Sequence, residues 1–95
     1  MTNIKADESE FQGYWLDTGS SVAPDYNWER ILRLTTDYLE ELAAIDDGRE
    51  KLYRDPADGR LWELTPVDPN LPAGPPLLRV IPPSQAAAKY TVSLD

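Results

Sequence analysis

Polar and apolar positions change their spacing several times along this 95-residue chain, and each change marks an element. Phe11 to Thr18 (FQGYWLDT) is rich in aromatic residues and stops at Gly19-Ser20-Ser21, which predicts a strand followed by a turn. Ser21-Val22-Ala23 is suited to return as a short second strand, and Pro24 stops it. From Tyr26 to about Ile45, the residues Trp28, Ile31, Leu32, Thr35, Tyr38, Leu39 and Leu42 recur at spacings of three and four, which predicts one long amphipathic helix. Asp25 stands where its carboxylate can accept from the free amides of the first turn. Asp46-Asp47-Gly48 ends this predicted helix, with Gly48 suited to a left-handed cap.

The second half changes period. Arg49 to Asp55 and Arg60 to Thr65 flank Pro56-Ala57-Asp58-Gly59, whose proline presets φ and whose Asp-Gly tolerates φ > 0, so a hairpin is expected over 49–65. Pairing Asp55 with Arg60 sets Tyr53 opposite Trp62 and Lys51 opposite Leu64, and puts Leu52 and Leu61 on the other face. Both faces are then partly apolar. Pro66 to Pro76 is proline-rich and reads as an ordered, irregular loop. Leu77 to Ile81 (LLRVI) suits a buried strand, and Ser84 can cap a short helix over Gln85 to Tyr90. The predicted fold is α+β: a small antiparallel sheet of about four strands, a helix over 26–45 packed on one face, and a short C-terminal helix.

Composition narrows the chemistry. The chain has no cysteine and no histidine, which removes disulfides, thiolate nucleophiles, Cys-based zinc sites and the commonest general base. There is no Gly-rich phosphate loop and no Gly-x-Ser-x-Gly elbow. Asp55-Pro56-Ala57-Asp58-Gly59 has the look of a calcium loop, but the last liganding position of a twelve-residue loop falls on Pro66. No catalytic residue, cofactor or metal is therefore expected, and the chain reads as a non-enzyme. A single domain over 1–95 is expected, with the polar residues 1–10 frayed and Tyr14, Trp15 and Trp28 in the core. The first residues lack an apolar signal region and no stretch approaches a membrane span, so a cytoplasmic protein without membrane contact is expected.

Charge is distributed unevenly. Residues 1–47 hold eleven acids against Lys5, Arg30 and Arg33, a net −8, whereas residues 48–95 hold six acids and six bases. Nucleic acid is a poor partner for such a chain, because phosphate binding needs Lys and Arg. A basic protein is a better one, since long-range attraction speeds association.

Leu52-Tyr53-Arg54-Asp55-Pro56, Asp58-Gly59-Arg60 and Trp62-Glu63-Leu64 together resemble the central signature of the Immunity protein 27 family of bacterial polymorphic toxin systems. Gly13 and Trp15, Arg30 and Ile31, Gly74-Pro75-Pro76, Leu78, Ile81, Ala88 and Tyr90 fall in the order the family shows. Between Thr65 and Ala73 the chain departs from it: Pro66, Pro69 and Pro72 stand in place of a Tyr-Pro pair and a Gly-rich run. The resemblance implies a cytoplasmic immunity protein that binds the C-terminal domain of a cognate toxin and blocks it, with no catalytic residues of its own.

Two surfaces are candidates for that contact. Asp37, Glu40, Glu41, Asp46, Asp47 and Glu50 would gather at the end of the predicted helix, where exposed acids oppose the macrodipole at about 0.3–1 kcal/mol each. Such a cluster could imitate phosphate toward a basic cleft; the alternative is a solvated helix face. Tyr53, Arg54, Arg60 and Trp62 of the hairpin are residue types favoured in interface hot spots. Their alternative roles are core packing for the aromatics and ion pairs with Asp55, Asp58 or Glu63 for the arginines. The expected assembly is a monomer or weak homodimer. An acidic adaptor module, or an accessory chaperone of a secretion system, would share the same composition.

Overall fold

The hairpin forms where its turn chemistry places it. In the computed structural model, which describes residues 4–92, strands β5 (Glu50–Arg54) and β6 (Leu61–Pro66) pair antiparallel with Tyr53 opposite Trp62 and Lys51 opposite Leu64. Asp55 N–H donates to Arg60 C=O at 2.9 Å, and Gly59 N–H returns to Asp55 C=O at 2.8 Å with Gly59 at φ +78°. That φ suits a residue without Cβ.

Around the hairpin the chain builds β1 (Glu10–Gln12), β2 (Trp15–Asp17), β3 (Val22–Pro24), α1 (Tyr26–Arg33), β4 (Glu40–Ile45), β7 (Pro76–Val80) and α2 (Pro83–Tyr90). One five-stranded sheet runs in the order β1-β7-β6-β5-β4 with every neighbouring pair antiparallel, and β2–β3 form a separate two-stranded ribbon. The α+β class is as the sequence predicts, with more strands than the four expected. Because Tyr53 and Trp62 alternate with Leu52 and Leu61, the sheet has two apolar faces. Ile31 and Leu34 of the helical segment, with Phe11, Leu39 and Leu78, cover the Tyr53–Trp62 face. Ala86 and Tyr90 of α2, with Ile81, cover the Leu52–Leu61 face.

The long helix is shorter than the stripe of apolar residues suggests. Asp25 caps it as expected, accepting from Trp28 N–H at 2.9 Å. After α1, residues Leu34–Tyr38 widen into a π-helical turn closed by Leu39 N–H to Leu34 C=O at 2.7 Å, and Leu39 is already extended. The remainder of the predicted helix is strand β4, paired along β5 with a bulge between Glu41 and Ala43. Glu, Leu and Ala favour helix locally, so pairing with β5 overrides propensity here. Leu32 of the stripe is half exposed, whereas Leu34, which lies off it, is buried in the core. Asp46-Asp47-Gly48 is consequently a tight turn between two strands and not a helix end, with both aspartates at left-handed φ.

Two further expectations change. The segment 4–10, though exposed at positions 5, 6, 7, 9 and 10, is tied to the fold: Ile4 is buried, Arg30 makes two 2.9 Å bonds to the Glu8 carboxylate, and Arg60 donates to Glu8 C=O and Lys5 C=O. Residues 1–3 lie outside the described chain. The C-terminal helix starts at Pro83 after a Pro82 cap, and Ser84 makes no capping bond. Proline is well suited to a first helical position, where its missing N–H costs nothing.

Candidate functional site

The hairpin aromatics are buried in the sheet and not exposed on its surface. Tyr53 is 3% exposed and Trp62 0%, with Phe11 stacked on Trp62 at 5.6 Å between ring centroids. Arg60 is likewise committed to the fold: it pairs with Asp58 at 2.7 Å, reaches the two carbonyls of the N-terminal segment, and lies 5.2 Å over the Trp62 ring. Arg54 is half-buried in β5, opposite Glu40 of β4. The residues that carry the family resemblance in the hairpin are thus those that build it. Asp55 is a clear case, buried and accepting from Ala57 N–H at 2.8 Å and from the Tyr38 hydroxyl.

The predicted acidic cluster is not one cluster. Asp37 ends the helical segment, Glu40 and Glu41 open β4, Asp46 and Asp47 lie in the turn at its far end, and Glu50 belongs to β5. Extended backbone spreads Glu40 and Asp46 roughly 20 Å apart, where one helix end would have gathered them. Several are already paired: Lys51 with Glu41 at 3.5 Å, Arg49 with Asp46 at 3.9 Å, and Lys89 with Glu50 at 2.8 Å. What the structure offers is an acidic rim along the β4 edge, at exposed positions 37, 40, 41, 46 and 47.

Glu63, which the sequence offered as a partner for Arg54 or Arg60, is a buried carboxylate with other partners. Glu63 of β6 is 1% exposed and is reached by Lys89 Nζ, by the Tyr90 hydroxyl at 2.9 Å and by Arg79 at 3.5 Å. Burial pushes its carboxyl up, but the bonds from Lys89 and Tyr90 and the nearby positive charge outweigh that and hold it below its ordinary value. The Tyr90 hydroxyl, desolvated and bonded to Glu63, is pushed well above its ordinary range. Beside the cluster lies an open cavity of about 270 Å³ lined by Asp46, Arg49, Glu50, Arg79 and Lys89, among others. With Lys89 and Tyr90 both on its Oε2 and Arg79 near its Oε1, Glu63 ties α2 to the sheet as an electrostatic clamp.

The most exposed apolar surface lies elsewhere. Tyr14, Trp15, Leu16, Val22 and Tyr26 are between 52% and 70% exposed, on and beside the β2–β3 ribbon. Of the three aromatics expected in the core, only Trp28 is there. The ribbon is nevertheless firmly set. Gly13 N–H donates to Pro76 C=O at 2.8 Å, and a Cβ on Gly13 would stand 2.8 Å from Pro76 Cδ and 3.0 Å from Trp28 Cβ, so only glycine lets the chain pass between them. Trp15 meets Trp28 edge-on with centroids 4.8 Å apart. Asp25 Oδ1 accepts from both Tyr14 N–H and Trp28 N–H, tying ribbon and helix start to one carboxylate. At the tip, Thr18 N–H donates to Ser21 C=O at 2.9 Å and Gly19 N–H to Asp17 Oδ1 at 2.8 Å.

Fold and surface together define a small acidic α+β domain whose buried polar groups are structural and whose distinctive outer feature is an aromatic ribbon. Residues 17–82 match the model of the family described as Immunity protein 27, and the chain belongs to that family. The matched span takes in β3, α1, β4, the hairpin and β7, leaving β1, all of β2 but Asp17, and α2 outside it. No curated protein and no solved structure gives a significant match. Among the described residues, no helix is long and apolar enough to cross a membrane.

Proposed function

We propose that this immunity protein binds the C-terminal domain of a cognate toxin and neutralises it by covering the surface with which the toxin acts. Membership of the Immunity protein 27 family carries this reading. The charge supports it: the net −8 lies wholly in residues 1–47, and a toxin that acts on nucleic acid must hold phosphate in a basic cleft. The carboxylates along the β4 rim, Asp37, Glu40, Glu41, Asp46 and Asp47, then act at long range and raise the rate of encounter. The mode of action is occlusion, which asks of the immunity protein a rigid surface and no chemistry.

Co-expression tests this reading. Cells making the toxin domain encoded beside this gene are expected to grow only when this chain is also made, and the two proteins should co-purify. Killing that continues at full rate with no complex formed overturns it.

A further inference from the structure

We propose that the β2–β3 ribbon is the element that docks on the toxin, and that it receives a basic protein surface whose Arg and Lys side chains pack on Tyr14, Trp15 and Tyr26. This rests on the toxin-neutralising reading above and names the contact surface within it. Chemistry and shape both point there. Residues 13–29 hold three acids, Asp17, Asp25 and Glu29, and no lysine or arginine. Aromatic rings beside carboxylates form a surface suited to cations, because a guanidinium or ammonium gains from the ring face and from the negative charge together. A second copy of this chain is disfavoured on the same ground, since each copy carries −8 and would bring acids against acids.

Shape adds a second reason. Alternation sends Trp15 and Leu16 to opposite faces of the ribbon, yet each is about half exposed. Although Trp28 packs on the Trp15 side, both faces of the ribbon therefore still offer apolar surface to a partner. Two strands of three residues each would be marginal alone in water. Here Gly13, Trp28 and Asp25 hold them in place, so little ordering remains to be done on binding. The three exposed aromatics offer roughly 100 Å² each, about a third of the roughly 800 Å² that one side of a standard interface buries.

The test uses the full chain and the purified toxin domain encoded beside it. A ribbon variant, Tyr14→Ser with Leu16→Ser and Tyr26→Ser, is compared with a rim variant, Glu40→Lys with Asp47→Lys. The ribbon variant is expected to dissociate at least about 30-fold faster, the scale of a hot-spot loss, with Tm little changed. The rim variant should associate more slowly and lose salt dependence while dissociating as before. Amide exchange on the unmodified chain gives a reading that needs no variant: toxin should protect residues 14–17 and 22–27. A ribbon variant that binds and protects within threefold of wild type, or a footprint confined to the β4 edge, overturns the ribbon proposal and leaves the immunity reading standing. Ribbon-dependent self-association with no toxin footprint overturns it too. A wild-type chain that neither binds nor protects removes both.

Discussion

Single residues in this protein show how close packing and buried charge set its limits. Gly13 sits where a Cβ would press on Pro76 and on Trp28, both at 3.0 Å or less. Gly13→Ala should therefore cost about 1–3 kcal/mol through backbone displacement, measured by urea unfolding, and should loosen the ribbon at its base. Glu63 makes a prediction about acid. Its carboxyl titrates below the ordinary 4.5 in the folded chain, so the unfolded chain binds the extra proton first as pH falls. The stability it contributes is complete above that ordinary value and is lost as pH drops through the lower folded one. Glu63→Gln should flatten this acid limb in unfolding curves taken at successive pH values, and should cost about 1–3 kcal/mol near neutrality by removing the charged acceptor from Lys89 and the Tyr90 hydroxyl. An unchanged acid limb would show that Glu63 is not the group responsible.

Elements differ in how far they were legible before the structure. The hairpin was readable down to its register, because Pro56, Asp58 and Gly59 specify the turn locally and strand alternation does the rest. Strand β4 was not. Glu40-Glu41-Leu42-Ala43-Ala44 has the composition of a helix, and only the β5 backbone beside it, a non-local fact, makes it a strand. The predicted strand over Phe11 to Thr18 divides into β1 and β2, and the same non-local logic hid that break, because β1 is held at the sheet edge by β7 from the other end of the chain. Where the helical segment gives way to β4, the Tyr38 hydroxyl donates to the buried Asp55 in the hairpin turn, and this bond with the carboxylate pushes the phenol up to about 12. Tyr38→Phe should cost about 1.5–3 kcal/mol, the worth of a hydrogen bond to a charged group, and should release the helix end from the turn. Faster amide exchange at residues 55–59 would register that release; unchanged exchange and stability would show the bond to be idle.

For the molecule as a whole, the site was legible only as a charge. Composition showed that half the chain carries the acidic excess, but it placed the acids on a helix end that does not exist and assigned the aromatics of the ribbon to the core. The bias was physical: Tyr and Trp usually repay burial, so Tyr14 and Trp15 read as interior. The resemblance in the hairpin, meanwhile, falls on residues that build the sheet. The most direct measurement is a titration of this purified chain into the purified toxin domain while the toxin's activity is followed. Activity should fall linearly and vanish at one equivalent, as a covering protein requires; a toxin still fully active at many equivalents contradicts the account.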